Sequence, residues 1–143
     1  MIVIDDHNLF LVLAGVAGGD IGPQLQAGEV FTTSSWYYRL ARAARDLHFA
    51  GALSERLGAL PAVERGRVER WLDDLPPDIG ILPARVVVPV MAALGEIGRF
   101  NLLNAEALAA CLVLEADLRV VAAAPMLRSA CDDLGIALDV VSP

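Results

Sequence analysis

The sequence opens with a short apolar run that ends abruptly on two acidic residues. Residues 2–4 are Ile, Val and Ile, and Asp5 and Asp6 follow at once. A continuous, β-branched run of this kind predicts a strand that is buried on both faces, as in a parallel sheet. Ligands of open α/β sheets bind beyond the carboxyl ends of such strands. We therefore expect Asp5 to stand at the mouth of any functional site.

Strand-like and helix-like segments alternate along the whole chain. In the clearest stretch, residues 104–141, a helix, a strand, a second helix and a last strand follow one another. This alternation predicts an α/β fold, a three-layer sandwich in which helices cover both faces of a central, mainly parallel sheet. A chain of 143 residues is typical of one domain, so we expect a single domain over residues 1–143.

The composition bears on where the protein works and what it binds. Its apolar runs fall short of the about 20 residues that a membrane-spanning helix needs, and no basic flank typical of a secretory signal precedes the first run. We therefore expect a cytoplasmic protein. The net charge of −7 argues against sequence-independent DNA binding, although clustered metal-binding acids would also lower the charge. A hydrophobic content of 56% predicts a surface buried against a partner, in a homodimer or a hetero-complex.

Carboxylates at the ends of predicted elements are the main candidates for chemistry. Besides Asp5 and Asp6, Glu106 stands in the predicted first turn of a buried helix over residues 104–115. A carboxylate there interacts favourably with the helix N-terminus, which is a sufficient structural reason for it. Two acids at one sheet edge could alternatively share Mg²⁺, which accepts one or two carboxylates and keeps its waters. Such a metal ion activates water and neutralises phosphate during phosphodiester hydrolysis.

The helix predicted after the second strand carries an arginine stripe. Arg39, Arg42 and Arg45 share one face with Tyr38, opposite an apolar face. The arginines could bind RNA phosphates while Tyr38 stacks on a base. In the simpler interpretation, the stripe is a solvated face or part of a dimer interface.

Both ends of the sequence resemble the PIN-domain family, which includes the VapC-like toxin ribonucleases of bacterial toxin–antitoxin pairs. The opening MIVIDDHNLF resembles the family's first strand, whose terminal acid is here Asp5. Residues 103–141 resemble the family's acid-bearing helix and the elements after it, with its third acid at Glu106. The resemblance implies a PIN-like fold and an endoribonuclease that uses Mg²⁺ or Mn²⁺ and pairs with an antitoxin-like protein. The implied metal-site residues are Asp5, Asp6, Glu106 and Asn104.

The sequence departs from the family pattern at three positions. Arg39 stands where the family has a second acid, Ala124 where it often has a fourth, and His7 where it often has Asn. An arginine opposes metal binding by like charge, and it could instead form a buried ion pair with Asp5 or Glu106. The alternative hypothesis is therefore a catalytically degenerate PIN-like domain that acts by binding a protein or RNA partner.

An unrelated flavodoxin-like or receiver-like α/β domain is a third interpretation. Asp5 and Asp6 would suit the acid pair of a receiver. The chain contains no lysine, however, and receivers use one at their phosphorylation site. We therefore place this interpretation behind the two PIN-like hypotheses.

Overall fold

The computed structural model describes residues 1–16, 20–46, 48 and 51–142. The strands in these ranges are β1 (Ile2–Ile4), β2 (Val30–Thr32), β3 (Ile79–Ile81), β4 (Asp117–Val120) and β5 (Leu138–Val140). The helices are α1 (Asp6–Leu13), α2 (Gly22–Gln26), α3 (Ser34–Arg45), α4 (Ala52–Ala59), α5 (Ala62–Asp73), α6 (Ala84–Leu94), α7 (Leu102–Leu114) and α8 (Pro125–Leu134). Strands and helices therefore alternate as the sequence predicts.

The five strands form one sheet in the order β3-β2-β1-β4-β5, and every pair is parallel. β1 is central, and Ile2 pairs with Val30 on one side and with Asp117 on the other. The chain builds outward from β1 in one direction through β3 and then in the other through β5. The order reverses between β1 and β4, and a crevice forms at such a point beyond the carboxyl ends of the strands.

Helices cover both faces of the sheet. Alternate residues of β1 point to opposite faces, so β1 contributes to an apolar core on each side. Val3 belongs to an apolar core with α6, α7 and α8, whereas Ile2 and Ile4 belong to a second core with α1, α4 and α5. All three side chains are buried. The predicted α/β sandwich with a parallel sheet, and the predicted double burial of β1, are confirmed.

Helix α7 begins earlier than predicted, and the difference bears on the site. Asn101 caps it, because its Oδ1 accepts a hydrogen bond from the backbone N–H of Asn104 at 2.8 Å. Asn104 therefore lies inside the first turn, and Glu106 lies one turn further along, where it is buried. The prediction that Glu106 belongs to the first turn of its own helix is wrong.

Candidate functional site: a crevice at the carboxyl edge of the sheet

A crevice of about 200 Å³ opens beyond the carboxyl ends of β1 and β4, where the strand order reverses. Open parallel sheets bind their ligands at this kind of place. The crevice brings together five of the residues that the sequence singles out, and its remaining walls are mainly apolar. These five residues are Asp5, Asp6, His7, Arg39 and Asn104.

The buried carboxylate of Asp5 serves groups of the protein itself. Its Oδ1 accepts hydrogen bonds from the backbone N–H of Asn8 at 2.9 Å and from the side-chain Nδ2 of Asn8 at 2.7 Å. Its Oδ2 accepts a hydrogen bond from the N–H of Val121, just after β4, at 2.8 Å. Asp5 thus caps α1 and ties the end of β1 to the end of β4. Three of its about four acceptor positions are occupied in this way.

The carboxylate of Glu106 caps a helix other than its own. Its Oε1 and Oε2 accept hydrogen bonds from the backbone N–H groups of Ser34 and Ser35, both at 3.0 Å. These are the first two residues of α3. The unpaired N–H groups and the positive dipole end of a helix favour a carboxylate at this position. The physical reason expected for Glu106, a helix N-terminus, therefore applies to α3 and not to α7.

Asp6 is the least satisfied of the buried acids. Its Oδ2 lies 3.2 Å from Nη1 of Arg39, and its side chain is only 3% exposed. Its Oδ1 accepts a hydrogen bond from the N–H of His7, but Oδ2 has no hydrogen-bond partner among the described residues. The contact with Arg39 is therefore an ion pair without a well-directed hydrogen bond. The sequence leaves Asp5 and Glu106 open as partners of Arg39, whereas in the structure its partner is Asp6.

The surroundings of Asp6 disfavour its charged form. Burial raises the pKa of the Asp6 carboxyl above its usual range, and the attraction of Arg39 only partly opposes this effect. Repulsion from Asp5 adds to the increase. Asp6 is thus a buried anion whose charge is incompletely compensated.

His7 is held by an arginine at the rim of the crevice. Its Nδ1 lies 3.0 Å from Nη1 of Arg56. Arginine only donates hydrogen bonds, so Nδ1 accepts and the neutral ring carries its proton on Nε2. Arg56 also lies over the ring of Phe10, with its Cζ 5.2 Å from the ring centroid. Among the described residues, no hydrogen bond joins a carboxylate to the ring of His7, so none orients it as a general base.

The remaining arginines of the stripe face acids outside the crevice. Arg42 lies 3.9 Å from the carboxylate of Asp46, and Arg45 pairs with Asp73 of α5. These are exposed ion pairs, worth about 0–1 kcal/mol each, so a ligand could break them. Their charges are nevertheless balanced locally, and the stripe offers a weaker positive surface than its sequence suggests.

A larger groove of about 540 Å³ adjoins the crevice, and we call it the apolar groove. It shares Arg39 and Leu103 with the crevice. Tyr38 and Leu102 also line it, and they are 64% and 65% exposed. Ser34, Ser35 and Asn101 complete its lining. Sequence reasoning identified Tyr38 but missed the groove, because the groove forms only where the first turns of α3 and α7 meet.

The described residues do not fit the Mg²⁺ or Mn²⁺ site that the family resemblance implies. Within these residues, no three His, Cys, Asp or Glu side chains form a group that could hold a metal ion. Asp5 and Glu106 accept hydrogen bonds from backbone N–H groups, and the guanidinium of Arg39 lies beside Asp6. A fixed positive charge at that position opposes the binding of a second cation.

No protein-family model, no curated protein and no solved structure matches this chain. The resemblance to the PIN-domain family therefore stays a prediction from the two sequence segments. In the part of the chain that the structure describes, no helix combines the length and the apolar character needed to cross a membrane.

Proposed function

We propose that this protein is a catalytically degenerate PIN-like domain that acts by binding a partner. We base this proposal on the ion pair between Arg39 and the buried Asp6. The PIN-domain pattern has an acid at the position of Arg39. We infer that a tethered cation has replaced a metal ligand at this position. Asp5 and Glu106, the catalytic acids that the resemblance implies, accept hydrogen bonds that hold helices and strands in place.

Competition with Arg39 supports this proposal. The guanidinium is tethered beside Asp6, so it pairs with the carboxylate without an association step. A divalent cation at Asp6 would have to displace it. It would gain few protein ligands in return, because the acceptor positions of the neighbouring acids are largely occupied. Weak metal binding is the expected consequence.

A protein is the partner that we favour over RNA. RNA affinity depends on several arginine or lysine contacts to phosphates, whereas this chain has a net charge of −7 and its arginine stripe is paired with acids. The apolar groove with its exposed Tyr38 and Leu102 suits a protein surface better. The antitoxin-like protein implied by the resemblance is one such partner.

A metal-dependent endoribonuclease is the second candidate function. Asp5, Asp6 and Asn104 line the same crevice at the reversal of strand order, which favours this candidate. The substrate would then be an RNA phosphodiester bound in the crevice. Mg²⁺ or Mn²⁺ would supply the charge neutralisation and the activated water.

Incubation of pure protein with RNA and Mn²⁺ tests the proposed function. We expect no cleavage by the wild-type protein above the level of the Asp5→Asn variant. Asn is a better control than Ala at this position, because its amide oxygen can still accept the hydrogen bond from Asn8 and cap α1. Cleavage by the wild-type protein that is lost in a folded Asp5→Asn variant would refute the proposal. Circular dichroism of both proteins verifies the fold.

A homodimer and a cytoplasmic location stay predictions. The outer face of α6 supports the dimer, because Val86 and Val88 are 36% and 53% exposed. Residues 86–94 contain no charged side chain. The only charged side chain of α6 is Arg85 in its first turn, and a largely apolar helix face of this kind is typical of subunit interfaces.

A further inference from the structure

Arg39 links the crevice to the apolar groove, since it lines both. An arginine carries five N–H donors in a planar fork. In this chain Nη1 is the atom that contacts Asp6, no hydrogen bond joins the two side chains, and the Arg39 side chain remains 41% exposed. The guanidinium therefore keeps donors for a second carboxylate that approaches from the groove.

The groove presents an apolar surface directly beside that cation. Tyr38 lies one residue before Arg39, and Leu102 and Leu103 form the wall contributed by α7. Tyr38 and Leu102 are two of the most exposed large hydrophobic side chains described in this chain. Large aromatic and aliphatic side chains at a concave surface are typical of sites that receive an apolar side chain of a partner.

We propose that the apolar groove docks a segment of a partner protein that carries a large apolar side chain next to a carboxylate. The apolar side chain packs between Tyr38 and Leu102, and the carboxylate pairs with Arg39. We rest this inference on the proposed function, since a metal ion at Asp6 would require Arg39 to move away.

The charge of the chain sets a limit on the partner segment. A net charge of −7 repels a strongly acidic segment, although exposed charges beyond about 10 Å are largely screened at ordinary ionic strength. A single carboxylate on the partner segment therefore complements the single cation, Arg39, at the groove. An RNA strand would bring a phosphate at every nucleotide, while Arg42 and Arg45 are already paired with Asp46 and Asp73. A segment with a single acidic residue therefore fits the groove better than RNA.

Titration of ¹⁵N-labelled protein with blocked dipeptides, in the presence of EDTA, tests this inference. The probes are N-acetyl-Phe-Glu amide, N-acetyl-Phe-Gln amide, which lacks the carboxylate, and N-acetyl-Ala-Glu amide, which lacks the large side chain. We expect the Phe-Glu probe to shift the backbone amides of Tyr38, Arg39 and Leu102. We expect it to bind about two- to fivefold more tightly than the Phe-Gln probe, as a half-exposed ion pair allows.

Three variants test the ion pair with Arg39 and the apolar contact with Tyr38 and Leu102 separately. The Arg39→Gln variant should bind the Phe-Glu and Phe-Gln probes equally, whereas Tyr38→Ala and Leu102→Ala should weaken both probes. The two alanine variants change exposed side chains, so they keep the test valid even if Arg39→Gln unfolds. Val63→Ala, which changes a 73% exposed side chain on α5, is the matched control and should bind like the wild-type protein.

Other outcomes would overturn the inference. Equal binding of the Phe-Glu and Phe-Gln probes to the wild-type protein would show that Arg39 does not pair with the carboxylate. Amide shifts confined to α6 would show that the probe binds at another surface. Tighter binding of a hexauridylate RNA to the same amides would identify RNA as the occupant. If the dipeptides fail and the Mn²⁺ assay gives no cleavage, only this inference fails. If Asp5-dependent cleavage occurs, the proposed function itself fails, whatever the dipeptides do.

Discussion

Glu106 and Asp6 are both buried carboxylates, but the two regions around them differ in how they satisfy the charge. Both oxygens of Glu106 accept hydrogen bonds from the N-terminus of α3. One oxygen of Asp6 has no hydrogen-bond partner among the described residues, and an ion pair with Arg39 is its main compensation. A carboxylate whose two oxygens both accept hydrogen bonds from the backbone holds the fold together, whereas a buried carboxylate oxygen without a hydrogen bond costs free energy.

This difference distinguishes the acids that stabilise the fold from the region where a partner can bind. Glu106 and Asp5 connect elements that are distant in sequence, and a ligand that used them would have to break these connections. Arg39 contacts Asp6 through Nη1 and stays 41% exposed, so its other N–H donors can reach the apolar groove. We therefore assign the functional surface to Arg39 and the groove, and the structural role to the two capping acids.

The largest expected effect comes from loss of the Glu106 cap. Glu106→Ala removes two hydrogen bonds between a charged group and backbone N–H groups, and it should lower the free energy of unfolding by about 3 kcal/mol. Glu106→Gln keeps one acceptor oxygen and should lose about half as much. Urea unfolding of the three proteins measures both values. A loss below about 1 kcal/mol for Glu106→Ala would mean that the cap contributes little.

A smaller effect is expected when Arg39 loses its charge. Removal of one partner of a buried ion pair costs about 3–5 kcal/mol, but Arg39 is 41% exposed and Asp6 can take up a proton, so we expect about 1–2 kcal/mol for Arg39→Gln. The same change in an Asp6→Asn background should cost almost nothing. A double-mutant cycle measures this coupling. Equal costs in the two backgrounds would show that the ion pair is energetically irrelevant.

The smallest effect concerns the pH dependence of stability. Because burial raises the pKa of Asp6, the folded state binds more protons than the unfolded state between the usual value of 3.8 and the raised value. Stability contributed by this group therefore falls as the pH rises through that window, with a slope of at most about 1.4 kcal/mol per pH unit. Asp6→Asn should remove this part of the slope. Urea unfolding at several pH values tests it, and identical profiles for the two proteins would contradict the raised pKa.

The sequence predicts the layout of the fold well and the partners of individual side chains poorly. The β-branched run of residues 2–4 directly encodes burial on both faces, and the alternation of elements encodes a parallel sheet. Five candidate residues meet in one crevice because the carboxyl ends of parallel strands share one edge. The cap on α3 joins residues 72 positions apart in sequence, and no local pattern indicates such a contact. The ion pair of Arg39 with Asp6 and the apolar groove likewise depend on how helices pack.

We propose that Arg39, and not a metal ion, balances the charge of Asp6. Calorimetric titration with Mn²⁺ at neutral pH tests this proposal, with the wild-type protein beside Arg39→Glu, which puts an acid at that position. We expect no binding by the wild-type protein at micromolar Mn²⁺, and tighter binding by Arg39→Glu. Micromolar binding by the wild-type protein that is lost in a folded Glu106→Gln variant would contradict the account.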